Sequence, residues 1–155
     1  MSKTVSGAKK FGKLMTAVVI LLLIAVFSVS KFIGGQDTAA EKYCAAIATG
    51  NYKEFVKTVP SESEYAAKGE DYFKESCNKG IRQLPQFSEL TATDNISAKV
   101  KITEHRMNGS LTEWICLADI DFFSSGKSVS YNDVRLTMKF SGGKWIITKS
   151  EPGIL

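Results

Sequence analysis

The chain has 155 residues, of which 44% are hydrophobic and 23% charged, enough for one small domain with a core but not for two. Its formal net charge is +4, yet all sixteen acidic residues follow residue 36. Residues 37–155 hold fifteen basic and sixteen acidic residues and carry a net charge of −1. Nucleic-acid binding needs a basic stripe on the folded surface, so we expect no nucleic-acid partner.

An apolar stretch follows the basic tip of the chain. Residues 14–33 read LMTAVVILLLIAVFSVSKFI and would span about 30 Å as a helix. Four lysines and no acidic residue precede this stretch, so the positive-inside rule places residues 1–13 in the cytoplasm and residues 37–155 outside. The sequence therefore predicts a single-pass signal anchor that contacts the lipid bilayer through residues 14–33.

Two further features of this region bear on the prediction. Gly34 and Gly35 have low helix propensity, so residues 34–36 are predicted to break the helix and form a short joint. The alternative to an anchor is a signal peptide that is cleaved after Ser28-Val29-Ser30 or Thr38-Ala39-Ala40, which would give a secreted protein. Both interpretations place the C-terminal domain outside the cytoplasm.

The first half of that domain shows helical spacing. Ala40, Tyr43, Cys44 and Ile47 share one helix face that Gly50 would end, with Asp37 or Thr38 as the cap. A short second helix is predicted between Asn51 and Pro60. A longer third helix is predicted within Ser61–Gly80, and Pro85 ends the helical half.

After residue 86 the apolar period becomes two, which is typical of strands. Ile96, Ala98, Val100 and Ile102 alternate with polar residues, and Asn108-Gly109-Ser110 is predicted to form a three-residue turn. That register places Lys99 opposite Asp119 and His105 opposite Glu113, on the face away from the helices.

Two more turns complete a predicted four-stranded meander. Ser124-Ser125-Gly126 is expected to form a three-residue loop, and Gly142-Gly143 a two-residue turn that pairs Phe140 with Trp145. A short strand at Phe87–Thr93 would be a fifth. The sequence thus predicts an α+β domain, with about three helices packed on a curved four- to five-stranded antiparallel sheet.

Two local patterns carry a family resemblance. The segment YCAAIATGNYKEF, Tyr43 to Phe55, is similar to the two opening helices of the nuclear-transport-factor-like superfamily, and GKWII, Gly143 to Ile147, resembles its closing strand. That superfamily includes the ketosteroid isomerase and SnoaL-type cyclases, and the resemblance implies a cone-shaped fold over residues 37–155. A cone behind one membrane helix also resembles, more distantly, the inner-membrane assembly subunit of type IV secretion and conjugation machines.

Polar candidates for a site lie on the predicted strands. His105, the only histidine, and Glu113 would form a base and its orienting group, and Asp119 is a further candidate base. The alternatives are that His105 and Glu113 form an exposed cross-strand pair and that Asp119 lies on a solvated charged face. We favour these alternatives, so we expect that the protein is not an enzyme. The sequence contains no set of ligands at metal-binding spacing, and we expect neither a metal nor a cofactor.

Cysteine and apolar residues give two further candidates. Cys44, Cys77 and Cys116 fall on predicted buried faces, where they are either free thiols or, with the pairing open, include one disulfide. Ile115 and Leu117 project from the sheet face that lacks helices, which indicates a partner or ligand surface unless strand curvature or Pro152–Leu155 covers them.

These observations together predict a membrane-anchored extracytoplasmic binding or assembly module. Its partners would be envelope proteins or further copies of the chain, in the more specific case within a secretion or conjugation-type complex. The alternative is an anchored or secreted small-molecule-binding cone, or a SnoaL-type cyclase or isomerase.

Overall fold

A computed structural model describes residues 4–87, 89 and 95–155, with side chains from residue 15 onward. The chain divides into two compact units, Met1–Gly34 and Gly35–Leu155. The elements, in chain order, are helices α1 (Thr4–Thr49), α2 (Tyr52–Phe55), α3 (Glu64–Lys68) and α4 (Glu70–Gly80), a 3₁₀ helix (Pro85–Phe87), and strands β1 (Ser97–Ser110), β2 (Glu113–Ser124), β3 (Lys127–Ser141) and β4 (Lys144–Glu151).

Helix α1 runs without interruption through Gly34 and Gly35, so the predicted helix break at residues 34–36 is wrong. Packing explains why residue 35 is a glycine, because a Cβ added there would lie 3.0 Å from Cδ1 of Trp145. Close approach of the indole therefore needs glycine there, and this contact outweighs the poor helix propensity. Asp37 and Thr38 lie inside α1 rather than capping it, whereas the predicted end at Gly50, where φ is +65°, is confirmed.

The apolar part of α1 is long and apolar enough to cross a membrane. In the helical stretch Met15–Thr49, the most apolar 18-residue window contains no buried residue. Large side chains from Met15 to Val29 are exposed, and the Lys31 ammonium lies over the Phe27 ring, 4.9 Å from its centroid. By length and composition this stretch could serve as a membrane anchor or as a signal sequence.

Short capped helices follow α1. The Asn51 side chain accepts a hydrogen bond from the Glu54 amide at 3.2 Å, and Ser63 Oγ accepts one from the Ala66 amide at 3.3 Å. Gly69, at φ +89°, separates α3 from α4, so the single third helix predicted from the sequence is two helices. Phe55 and Phe73 are buried between these helices, with ring centroids 4.3 Å apart.

The four strands form one antiparallel sheet in the order β1-β2-β3-β4, which confirms the predicted α+β class. One sheet face, here the inner face, carries the buried core residues of β2, β3 and β4. They are Cys116, Ala118, Ile120, Phe122, Val134, Leu136, Met138, Trp145 and Ile147. The Ile147 amide also donates to the Thr58 carbonyl at 2.7 Å, which fastens β4 to the helical part. The proposed fifth strand, Phe87–Thr93, falls largely on residues 88 and 90–94, outside the described part of the chain.

The first hairpin differs from the prediction in loop and register. The strands are joined at Leu111-Thr112, and an irregularity at Thr103 shifts the pairing from Ile102–Ala118 to His105–Cys116. One extra residue in a strand reverses the faces of every residue beyond it. The predicted pairing of His105 with Glu113 is therefore wrong, and His105 points to the inner face.

Of the other predicted features of the sheet, two are wrong and the last turn is confirmed. Lys99 lies opposite Asp121, not Asp119, whose partner in β1 is Lys101. The second hairpin turns on two residues, not three, because Ser125 and Gly126 both adopt the positive φ values of a primed turn, +50° and +79°. The predicted Gly142-Gly143 turn and the pair Phe140–Trp145 are confirmed.

The two adjacent glycines of α1 provide a matched test of this packing. Gly34→Ala places a Cβ where no described heavy atom lies within 4 Å, so better helix propensity should raise the free energy of unfolding by about 0.5–1 kcal/mol. Gly35→Ala should show no such gain, because its Cβ must displace Trp145. Urea unfolding of the full chain in detergent measures both. Equal gains for the two variants would contradict the packing described here.

Candidate functional site

A small group of polar side chains lies where the domain part of α1 meets β1 and β2. We call it the junction cluster, and it comprises Gln36, Asp37, His105 and Cys116. Gln36 is 0% exposed, although it is an amide in the middle of a helix. The Thr103 irregularity creates the cluster, because it turns His105 to the inner face beside Cys116.

The geometry of the cluster centres on the Gln36 amide oxygen. His105 Nδ1 lies 2.6 Å from Gln36 Oε1, and since an amide oxygen only accepts, the imidazole donates from Nδ1. The Cys116 thiol donates to the same oxygen at 3.5 Å. The other ring nitrogen, Nε2, lies 3.6 Å from Asp37 Oδ1. The imidazole thus lies between the Gln36 amide oxygen and the Asp37 carboxylate.

Two buried polar atoms of the cluster have no hydrogen-bond partner among the described residues, Gln36 Nε2 and Asp37 Oδ1. Leaving a buried amide group unpaired costs about 1–3 kcal/mol, so the site retains polar groups at a loss of stability. Natural proteins keep such groups where they define a unique arrangement or a function. The sequence signal was weak, a lone Gln-Asp pair after two glycines, so Gln36 was not predicted to have a role and Asp37 was predicted only as a helix cap.

The surroundings of Cys116 favour a neutral thiol over a thiolate. Burial raises the pKa of its thiol to about 12, and the nearby Asp37 carboxylate adds to the increase. Nucleophilic cysteines need a lowered pKa, usually from a cationic neighbour. The cluster therefore holds a neutral thiol beside an imidazole and joins helix to sheet.

The other predicted polar candidates are separate from His105. Glu113 begins β2 and lies opposite Ser110 of β1 and Lys139 of β3. Asp119 Oδ1 accepts a hydrogen bond from the Asp133 amide at 3.3 Å, at a bulge where Asp133 has a φ of +55°. The structure thus does not bring His105, Glu113 and Asp119 together.

Ile115 and Leu117 lie on the outer face of the sheet, opposite to the inner face, and both are half-buried. Ile115 lies between Arg106 and Thr137, and Leu117 lies between Glu104 and Arg135. The C-terminal segment does not cover this face. It packs on the helical side instead, where a Cβ added at Gly80 would lie 3.6 Å from the Ile154 carbonyl oxygen.

The three cysteines, Cys44, Cys77 and Cys116, are all buried and free. Burial raises the pKa of Cys44 and of Cys77 to about 12, as it does for Cys116. Neutral, buried thiols of this kind act as small apolar side chains. Within the described residues, no group of three or more His, Cys, Asp or Glu side chains is arranged to hold a metal ion.

A second feature is a cavity of about 260 Å³, here called the aromatic cavity. Its lining includes Tyr43, Phe55 and Tyr65 from the helices, Ile147 from β4 and Ile154 from the C-terminal segment. Burial raises the pKa of both tyrosines, so their hydroxyl groups stay neutral. His105, Glu113 and Asp119 are not among its lining residues. The cavity could not be predicted from the sequence, because its walls come from segments that are distant in the chain.

Comparisons with known proteins give a structural likeness but no sequence relative. No protein-family model matches the chain, and no curated protein matches it. Among solved structures the chain is similar to the 1.70 Å crystal structure of an NTF-2 like protein of unknown function from Shewanella oneidensis MR-1. The sequence identity is 14% and the TM-score is 0.46, over 81% of this chain and 96% of that one.

A double-mutant cycle tests the junction cluster. Gln36→Leu or His105→Leu alone should lower the free energy of unfolding by about 1–3 kcal/mol, because each leaves a buried polar partner unpaired. The double variant should lose clearly less stability than the sum of the two single-variant losses, since neither polar partner is then left buried and unpaired. Glu113→Ala is the matched control and should change stability by less than about 0.5 kcal/mol. Additive losses, or coupling of His105 to Glu113, would contradict the observed register.

Proposed function

We propose that the chain is a single-pass membrane protein with a cytoplasmic N-terminus and an extracytoplasmic α+β domain that works as a binding or assembly module. The observation that carries the proposal is the wholly exposed apolar window of α1, which is long enough to cross a bilayer. Protein atoms do not cover these side chains in the described structure, so lipid is the environment that their chemistry fits.

The orientation rests on charge. Lys3, Lys9, Lys10 and Lys13 precede the apolar residues, and no acidic residue occurs before Asp37. Positive flanks remain in the cytoplasm during insertion, so the domain after Gly35 is exported. Retention of the segment as an anchor, rather than cleavage as a signal, fits a helix that continues from apolar residues into the buried positions Gln36, Ala39 and Ala40.

The role as a module rests on the outer face of the sheet. Ile115 and Leu117 supply apolar area between the charged side chains of Glu104, Arg106 and Arg135. An apolar centre with a polar, arginine-containing rim is typical of protein interfaces. A structural subunit of a secretion or conjugation-type envelope complex is the more specific form of this proposal, and it rests on the resemblance described above.

The aromatic cavity favours a second candidate, an anchored or secreted domain that binds a small molecule. Its aromatic walls and neutral tyrosine hydroxyls suit a compact, largely apolar ligand. A cyclase or isomerase would need a base in contact with that ligand. Glu64 carries the carboxylate side chain among the described lining residues, and it already accepts hydrogen bonds from Lys68 and Tyr72.

Labelling of intact cells tests the orientation. Ser128→Cys introduces an exposed thiol in β3, and Ser6→Cys introduces one in the basic tail, while the native thiols are buried. A membrane-impermeant maleimide should label residue 128 in intact cells and residue 6 only after lysis. The intact mass of the membrane-bound protein should include residues 1–33. Labelling at residue 6 alone, or loss of the N-terminal segment, would contradict the proposed anchor.

Native sizing of the full chain in mild detergent tests the module. We expect a defined assembly larger than one chain, which Ile115→Ser combined with Leu117→Ser converts to a smaller species. Lys99→Ser with Lys101→Ser on the outer side of β1 is the control and should leave the assembly intact. A wild-type protein that migrates as a single chain would remove the assembly role and favour the ligand-binding candidate.

A further inference from the structure

The loop end of the β1–β2 hairpin carries exposed apolar side chains that are not part of the buried core. Here the hairpin tip means residues 107–114. Leu111 occupies the turn and is 73% exposed, Met107 is 52% exposed, and the half-buried Trp114 donates from Nε1 to the Leu111 carbonyl at 3.0 Å. Hairpin turns are normally polar, so a leucine at this position indicates a nonaqueous contact.

The direction of β1 shows which end of the domain carries this tip. Val100, Lys101 and Ile102 share a cavity wall with Asp37 and Glu41, whereas His105, further along β1, contacts Gln36. The strand therefore runs antiparallel to the domain part of α1. Residues beyond His105 continue toward the end of the domain that holds Gly35.

Contacts across the sheet confirm this placement. Gly35 packs against Trp145, Trp145 pairs with Phe140, and the Phe140 amide donates to the Thr112 carbonyl at 2.7 Å. Thr112 is thus two strand spacings from Trp145, or about 10 Å. The opposite end of the sheet turns on the polar sequence Ser124-Ser125-Gly126-Lys127.

Chain length limits how far this end of the domain can lie from the apolar segment. Gly35 follows Ile33, the last residue of the apolar segment, by two residues, which span at most about 7 Å. The headgroup region on each side of a bilayer is roughly 5–8 Å thick. A domain that begins at Gly35 has no linker that would separate this end from the headgroups.

We propose that the hairpin tip, through Leu111 and Met107, inserts into the outer headgroup and acyl boundary of the bilayer and gives the domain a second membrane contact. The half-buried Trp114 suits an interfacial position. Arg106, Lys139 and Lys144 are exposed near the same end and favour anionic lipid headgroups. The inference rests on the proposed membrane anchor.

Depth measurement with nitroxide labels tests the proposal on the full chain in vesicles of phosphatidylethanolamine and phosphatidylglycerol. Ser110→Cys labels the hairpin tip, Ser128→Cys is the matched exposed serine near the opposite sheet end, and Leu22→Cys reports the apolar segment. Accessibility to oxygen relative to a water-soluble nickel chelate gives depth. Wild-type protein treated with the same nitroxide label is the control for any labelling of the buried native cysteines.

We expect the oxygen-to-nickel ratio to be several-fold higher at residue 110 than at residue 128, and highest at residue 22. Adding Leu111→Ser to the Ser110→Cys variant should lower the ratio at residue 110 toward that at residue 128. Equal aqueous values at residues 110 and 128, with residue 22 in the bilayer, would overturn the hairpin contact alone. An aqueous value at residue 22 would overturn the proposed anchor as well.

Discussion

The hydrogen bond between Gln36 and His105 is the contact on which the arrangement of this domain depends. A fully buried amide in a helix must find a polar partner, and the imidazole of β1 provides it at 2.6 Å. The irregularity at Thr103 lies in the same strand, and it turns His105 toward the inner face of the sheet. One residue earlier in α1, Gly35 allows the Trp145 indole to approach the helix backbone. These neighbouring positions fix both the rotation and the height of the domain part of α1, residues 35–49, against the sheet.

The packing of the domain has a consequence for the proposed function. The buried core residues of β2, β3 and β4 lie on the inner face of the sheet, whereas Ile115 and Leu117 lie on its outer face. A surface carried by paired strands is preorganised, so the proposed module would lose less conformational freedom when it binds a partner through this face.

Much of the fold follows from the sequence, since period-two alternation and glycine turns are local signals. The Gly142-Gly143 turn and the Phe140–Trp145 pair were predictable for this reason. The unbroken helix at Gly34-Gly35 was not, because propensity is a local quantity and the Trp145 contact joins residues far apart in the chain. The inward position of His105 was missed in the same way. Apolar alternation shows which residues share a face but does not reveal an extra residue at Thr103.

The most direct test of this account is amide hydrogen exchange of the full chain in lipid nanodiscs, read at Gly34, Gly35, Gln36 and Asp37. Helical hydrogen bonds and the packing of Trp145 and His105 should protect these amides as strongly as those of Ala40 to Ile47 in the buried part of α1. Rapid exchange confined to residues 34–37, with protection on both sides, would show a flexible joint and contradict the helical structure of these residues and the packing of Gly35 and Gln36 within the domain.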